Sequence, residues 1–377
     1  MTSGEQYMRM ALRLAARGIG SVEPNPAAGA VLVKNGRVIG RGWHKKFGGP
    51  HAEINALADC RKRGNDPAGA TMYVTLEPCC HFGKTGPCTD AMIAAKIGKV
   101  VAATIDPSKH ANGRGLKLLR KAGIEVAVGV CEKEAKLLNA PFMKFASTGR
   151  CWVVLKWAQS KDGKMGWAEK NKSRRWISSQ ASRRDVHKIR RRVQAILVGI
   201  ETVLVDDPLL TARPETGKQP LRIVLDTDLR IPLNCKLLKT VKKAPVLIVT
   251  GRNANQGKKK NLTAAGAEVI AVPMKKGQSD LSYLLKRLGK RGVEQLLVEG
   301  GAKVITSFLK QCLADEVVIY IAPKVLGEKG TTRISRPMAK LAQRSNLCYR
   351  EIKKFGVDTR IKGLTRQAVK QLAIVAG

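Results

Sequence analysis

Apolar residues in MTSGEQYMRMALRLAARG recur at helical spacing, with Met8, Leu12 and Ala15 on one face, and predict an opening helix. AAGAVLVKNGRVIGRGW has a different rhythm. Two β-rich runs flank Asn35-Gly36, a pair that suits the positive φ angles of a two-residue hairpin turn. HAEINALADCRKRG returns to the helical period and stops at Gly64, and TMYVTLE reads as a short strand. CTDAMIAAKIG reads as a helix ended by Gly98, KVVAATI as a strand, GRGLKLLRKAG as a helix and IEVAVGV as a strand. Strands alternating with helices predict a layered α/β sheet covered on both faces.

The pattern restarts around FASTGRCW, residues 145 to 152, which sets the expected division: residues 1–147 and 148–377. WVVLKWA, AILVGI, LRIVLD, APVLIVTG, EQLLV and EVVIYIAPKVLG read as strands, with SRRDVHKIRRR and SFLKQCL as helices, so the class is again α/β. Past residue 328 the pattern weakens. TTRISRPMAKLAQRSN reads as a loop-rich surface segment and FGVDTRIKGL as one last strand.

Length and composition fit this picture. The chain has 377 residues, 44% of them hydrophobic, enough for two domains with proper cores. No stretch approaches the roughly 20 apolar residues needed to span a bilayer, and the N-terminus lacks a secretory signal. Nine cysteines, odd in number and mostly scattered, argue against a disulfide framework and for a reducing, cytoplasmic setting. Charge adds one alternative. Sixty-nine Lys and Arg against 29 Asp and Glu give +40, an excess that attracts polyanions such as nucleic acid. The basic residues form no single arm or aromatic-interleaved patch, so solvated basic faces are the simpler reading and nucleic acid is the less favoured partner, left open by the charge.

The chemistry concentrates in HAE and TLEPCCHFGKTGPC. A catalytic Zn²⁺ takes three nitrogen or sulfur ligands and keeps one position open for water. His51 and Glu53 stand two residues apart at a helix start, and Glu-Pro-Cys follows a strand, with a further cysteine opening a second helix. In zinc nucleobase deaminases an H-x-E…P-C-x-x-C set activates water, and the Glu carries protons without touching the metal. Here the short C-x-x-C would pair Cys79 with Phe82, so the second sulfur must be Cys88, across CHFGKTGP.

That long gap, with PNPAAGAVLV, GWHKKFGGPHAE and TLEPCCHFGKTGPC, resembles the bifunctional riboflavin-biosynthesis deaminase/reductase family, over nearly the whole chain. The resemblance implies a cytidine-deaminase-like three-layer domain followed by a dihydrofolate-reductase-like α/β domain. His51, Cys79 and Cys88 match its zinc ligands and Glu53 its proton shuttle; Cys80 sits where the family commonly has Ser. Asn25, His44 and Lys84 match positions lining the pyrimidine pocket, where Lys84 can meet a phosphate.

The second half has no G-x-G-x-x-G fingerprint; VEGGAK suggests only a strand-to-helix turn that could hold a phosphate. KWAQSKDGKM, SRRWIS and GIETVLVDDPLLTAR nonetheless resemble the family's reductase motifs, which implies NADPH. Ala158, Trp176, Thr202, Asp206, Thr227 and Gly301 match dinucleotide-contacting positions, and Arg190, Leu210, Arg213 and Glu299 match substrate-contacting ones. Arg190 has a second reading, as part of an exposed basic helical face. Three departures stand out: Lys161 in place of Leu, an extra residue between Ser173 and Trp176, and Glu201 beside a site for a polyanionic cofactor.

The expectation is a bifunctional zinc deaminase and NADPH-dependent reductase, a homo-oligomer acting on a phosphorylated pyrimidine. Deamination of 2,5-diamino-6-(5-phosphoribosylamino)pyrimidin-4-one would precede reduction of the ribosyl group to ribityl. The alternatives are a deaminase with an inactive reductase-like domain, and a zinc deaminase acting on RNA bases.

Overall fold

The computed structural model describes residues 2–83, 86–168, 176–215, 218–275, 277–343 and 346–373. The chain forms two compact units, Met1–Gly149 and Arg150–Gly377.

The first unit runs α1 (Ser3–Ala15), β1 (Gly29–Lys34), β2 (Arg37–Trp43), α2 (Ala52–Lys62), β3 (Thr71–Val74), α3 (Cys88–Ala94), β4 (Lys99–Ala102), α4 (Arg114–Lys121), β5 (Glu125–Val128), α5 (Glu132–Leu138) and α6 (Ala140–Thr148). Its sheet has the order β2-β1-β3-β4-β5, antiparallel at the β1 pairings and parallel from β3 to β5. Both faces are apolar because β1 alternates two buried sets. Ala30 and Leu32 pack toward α2, α3 and α4 with Leu57, Met72, Met92 and Leu119, while Val31 and Val33 pack toward α1 and α5 with Met8, Leu14 and Ala135. The result is three layers, helix–sheet–helix.

Asn35 and Gly36 close the β1–β2 hairpin with φ of 51° and 73°, as the sequence predicts. The next contact places the site. A Cβ on Gly42 would lie 2.3 Å from the Ala52 carbonyl oxygen, and one on Gly40 would lie 2.5 Å from that of Ala56. Side chains there would hold α2 off the hairpin; without them, the N-terminal turn of α2 sits directly on the sheet. α3 departs from expectation. It stops at Ala94, not Gly98, because Lys96 takes the left-handed turn (φ 52°) and the Ile97 N–H returns to the Met92 carbonyl at 3.2 Å.

The second unit runs β6 (Trp152–Ser160), β7 (Lys164–Trp167), α7 (Gln180–Arg190), β8 (Ala195–Gly199), α8 (Ile200–Asp206), β9 (Leu221–Leu225), α9 (Lys236–Lys239), β10 (Val246–Thr250), α10 (Gln256–Ala264), β11 (Glu268–Ala271), β12 (Met274–Lys275), β13 (Gln278–Ser279), α11 (Leu281–Lys290), β14 (Gln295–Val298), α12 (Ala302–Lys310), β15 (Glu316–Ala322), β16 (Gly330–Arg333), α13 (Arg336–Ala342), β17 (Cys348–Phe355), β18 (Asp358–Leu364) and α14 (Arg366–Gln371). The main sheet has the order β11-β10-β9-β8-β14-β6-β15-β18-β17, parallel up to β15 and antiparallel through the terminal hairpin.

One face of this sheet is a single apolar core. Val153, Leu155 and Trp157 of β6, Leu296 and Val298 of β14, and Val317 and Ile319 of β15 pack with Leu284, Ile305 and Phe308. Strand alternation therefore turns Lys156, Ala158 and Tyr320 to the opposite face. Near the C-terminus one expectation needs correction and another is extended. TTRISRPMAKLAQRSN is not simply loop: it holds β16 and α13, anchored by the wholly buried Met338. FGVDTRIKGL does hold the last strand, β18, as expected; what the sequence did not announce is β17 before it, with which it forms a hairpin.

Two candidate active sites

In the first unit, His51 is the N-cap of α2 and Glu53 lies in its first turn, so the helix start fixes both side chains. Cys79 follows β3 by five residues, and Cys88 opens α3. His51 Nδ1 lies 3.4 Å from Cys79 Sγ and 3.4 Å from Cys88 Sγ. The three donor atoms lie within 4.8 Å of one another. The Cys88 backbone N–H donates to Cys79 Sγ at 3.3 Å, which favours the thiolate form a metal needs. A hydrogen bond from the Cys88 thiol, opposed by burial and reinforced by His51, pulls the Cys79 thiol down to about 4; the same contact pushes Cys88 up. One imidazole and two sulfurs this close together are a donor set that could hold Zn²⁺.

Glu53 is 4% exposed, and burial, with the Cys79 charge second, pushes its carboxyl up to about 7. A carboxyl poised there can both take and give a proton near neutral pH. His44 stacks edge-on against His51 with ring centroids 5.2 Å apart, and its Nδ1 pairs with the Pro50 carbonyl at 3.1 Å. Asn25 Nδ2 lies 3.4 Å from His44 Nε2, which brings Asn25, His44 and the metal-type cluster into one chain of contacts. Cys80 turns aside and contacts the His110 carbonyl at 3.7 Å. Lys84 lies outside the described residues. A residue that escaped notice in the sequence is Asn139, buried at the α5–α6 junction. Its Oδ1 accepts from Ala27 N at 2.8 Å and its Nδ2 donates to Ala27 O at 2.9 Å. It thereby pins the loop that carries Asn25.

In the second unit, Arg190 and Glu299 meet side by side. Nε donates to Oε1 at 2.7 Å and Nη2 to Oε2 at 3.0 Å, while Nη1 donates to the Thr211 carbonyl at 3.0 Å. This overturns the exposed-face reading of Arg190, whose side chain is only 15% exposed. Lys156 Nζ lies 3.6 Å from Glu299 Oε2. Burial opposes ionisation of Glu299, but Arg190 and then Lys156 hold it ionised, down to about 2. His187, one turn before Arg190, is pushed down by burial and by the charges of Arg190 and Arg213. Arg190, Leu210, Arg213 and Glu299 thus belong to one neighbourhood: α7, the end of β14, and the segment 207–213.

Ala158 lies two residues along β6 from Lys156, and Gly301 caps α12 two residues after Glu299, with an ordinary φ of −66°. Trp176 is 52% exposed with the Arg183 guanidinium 5.1 Å over its ring. Thr202 and Asp206 sit on α8. Thr227 lines a separate cleft of about 610 Å³ at the C-terminal ends of β9, β10 and β11, with Arg252 and Asn255. Of the departures, Glu201 is paired with Arg230 at 2.7 Å, so its charge is balanced locally. Lys161 lies exposed in the turn after β6, and Ser173 lies outside the described residues. Lys156 was the missed residue with a visible signal: a lone lysine within WVVLKWA, an otherwise apolar strand.

Comparison with known proteins agrees with this geometry. Residues 1–104 match the cytidine and deoxycytidylate deaminase zinc-binding region, and residues 151–361 match the RibD C-terminal domain. The riboflavin biosynthesis protein RibD of Aquifex aeolicus is 46% identical over 325 residues, 86% of this chain and 88% of that protein. The Escherichia coli RibD is 38% identical, covering 94% of this chain and 97% of that one. A solved structure of Acinetobacter baumannii RibD is similar at a TM-score of 0.80 and 35% identity, covering 97% of this chain and 99% of that one. The chain belongs to the RibD family, bifunctional enzymes of riboflavin biosynthesis that join a deaminase domain to a reductase domain. Among the described residues no helix is long and apolar enough to cross a membrane.

Proposed function

We propose that the first unit hydrolytically deaminates 2,5-diamino-6-(5-phosphoribosylamino)pyrimidin-4-one and that the second reduces the product's ribosyl group to ribityl with NADPH. The observation carrying the first half is the convergence of His51, Cys79 and Cys88 beside a buried Glu53. A solved Thermotoga maritima structure, 34% identical with a TM-score of 0.77, is described as a diaminohydroxyphosphoribosylaminopyrimidine deaminase and 5-amino-6-(5-phosphoribosylamino)uracil reductase. That likeness supports the choice of substrate.

His51, Cys79 and Cys88 would hold Zn²⁺, which supplies an acidified water near neutral pH. Glu53 accepts that water's proton as the oxygen adds to the amine-bearing ring carbon, then delivers it to the amine, which leaves as ammonia. Asn25 and His44 orient the pyrimidine, and Lys84 meets its phosphate. In the second unit Ala158, Trp176, Thr202, Asp206, Thr227 and Gly301 hold NADPH, which supplies the hydride. Arg190, Leu210, Arg213 and Glu299 bind the phosphoribosyl end: the Arg213 fork suits a phosphate, while Arg190, whose own fork is taken by Glu299, holds that carboxylate toward the ribosyl group. We assign to Lys156 the proton needed at the sugar oxygen as the ring opens: burial lowers its pKa, and it stands beside Glu299.

The test is turnover of the pyrimidine with and without NADPH. Ammonia release in both arms, and NADPH consumption only after deamination, is the expected result. Ammonia release without any NADPH consumption at saturating substrate would reduce the chain to a deaminase.

A further inference from the structure

Arg222, on β9, has no solvent exposure, yet its guanidinium faces carbonyls and not an acid. Nη1 donates to the Leu209 carbonyl at 3.1 Å and to Thr240 Oγ1 at 2.8 Å. Nη2 donates to the carbonyls of Leu237 and Thr240, each at 3.0 Å, and to that of Ala244. Among the described residues its Nε has no partner, and no carboxylate takes part in its hydrogen bonds. Burying a cation against neutral acceptors alone is costly, so a residue placed this way must hold something that an apolar side chain would not.

What it holds is the segment 207–213. Asp207 and Leu210 both occupy the left-handed region, with φ of 39° and 52°. Residues other than glycine persist there only when their surroundings over-determine them. Leu209, whose carbonyl Arg222 grips, lies between the two. The same segment is tied at three further points. Arg190 takes the Thr211 carbonyl, Gln219 Oε1 accepts from Ala212 N at 2.9 Å, and Asp207 Oδ1 accepts from Lys236 N at 2.8 Å. Arg222 differs from these ties in that the same buried guanidinium also holds the carbonyls of Leu237, Thr240 and Ala244, so it joins Leu209 to the 237–244 stretch.

We infer that Arg222 is a positioning residue for the phosphoribosyl substrate. Through the Leu209 carbonyl it fixes the strained shape that presents Leu210 and Arg213, without touching the ligand. The inference rests on the proposed roles of Leu210 and Arg213.

The experiment uses the full-length zinc-loaded chain with the substitutions Arg222→Lys, Arg222→Met and, as a control of the underlying reading, Arg213→Gln. Steady-state reduction of the deaminated pyrimidine is followed by NADPH consumption, with ammonia release by the other unit measured on the same samples. A displaced segment should raise the KM for the pyrimidine about tenfold or more in both Arg222 variants, since small misplacements near a site have large effects. kcat should change less, the KM for NADPH should stay within about twofold, and ammonia release should be unchanged. If Arg222→Met does not fold, Arg222→Lys decides alone. A raised pyrimidine KM in Arg213→Gln with no change in Arg222→Lys would overturn the inference and leave the reading of Arg213 standing. An equal rise in both KM values for Arg222→Lys would also overturn it, by showing a general structural role. No change in Arg213→Gln would remove the reading itself.

Discussion

Asn139 and Ala27 are joined by two hydrogen bonds across 112 residues of chain, the amide oxygen taking the Ala27 N–H and the amide nitrogen meeting its carbonyl. A buried carboxamide that matches both backbone polar groups of one residue acts toward it as a strand partner would. Asn139→Ala would leave both backbone groups buried and unmet, a loss of roughly 1–3 kcal/mol for each unsatisfied group. The thermal midpoint of the first unit should fall. Because Asn25 lies two residues from Ala27, the KM for the pyrimidine in deamination should rise more than kcat falls. Calorimetry with ammonia-release kinetics checks both; an unchanged KM in a folded, zinc-loaded variant would deny Asn139 any role in placing Asn25.

Zinc binding and proton transfer should separate by mutation. Cys88→Ser removes a soft ligand from a three-donor set and should leave the purified chain with much less than one zinc per protein. Glu53→Gln preserves shape and removes the carboxyl, so zinc should remain while kcat for ammonia release falls by about 10²–10⁴-fold, the usual contribution of general acid–base catalysis. Elemental analysis beside the kinetic assay distinguishes the two. Full zinc in Cys88→Ser would sink the ligand assignment.

The Gly42–Ala52 contact yields a sharper mechanical prediction. A Cβ at position 42 would stand 2.3 Å from the Ala52 carbonyl oxygen and 2.3 Å from the Ala56 N. Both are backbone atoms and cannot swing aside, so Gly42→Ala must push α2 outward. Overpacking of this kind typically costs about 1–3 kcal/mol. The displaced element carries His51 and Glu53, so zinc content and ammonia release should fall together while NADPH-linked reduction of the deaminated pyrimidine continues. Retained ammonia release in Gly42→Ala would show that α2 can move without moving the site.

These cases show which parts were legible beforehand. The Asn35-Gly36 turn and the His51–Glu53 pair were readable because local backbone geometry dictates them, a turn with positive φ and a helix start, whereas the Cys79–Cys88 pair was readable through its motif and the family resemblance. β17 was not, since it is an edge strand whose CYREIKKF stretch leaves much of its surface to solvent and so lacks clear alternation. α13 hid within a basic run because one residue, Met338, supplies its buried anchor. Asn139 and Arg222 were invisible for another reason. Their importance lies mainly in backbone partners outside their own elements, which no periodicity records.

The Arg190–Glu299 pair sets the last prediction, the acid limit of the second unit. Glu299 is buried and held ionised by Arg190 and Lys156, which brings its carboxyl from the ordinary 4.5 down to about 2, against the opposing effect of burial. A carboxyl depressed in the folded state binds its proton more readily when unfolded. Its contribution to stability is therefore complete above about pH 4.5 and is lost as pH falls toward 2. A shift of this size corresponds to roughly 3 kcal/mol at neutral pH. Arg190→Ala would strip away the larger partner and strand the carboxylate, a change that typically costs about 3–5 kcal/mol for a broken buried pair. At neutral pH the thermal midpoint of the second unit should therefore fall in Arg190→Ala. Its decline between pH 4.5 and 2.5 should also be shallower than that of the unaltered chain, because less depression of the Glu299 pKa remains to be lost. Thermal unfolding across that pH range tests the point: parallel pH profiles for the two proteins would show that the acid sensitivity of this unit arises elsewhere.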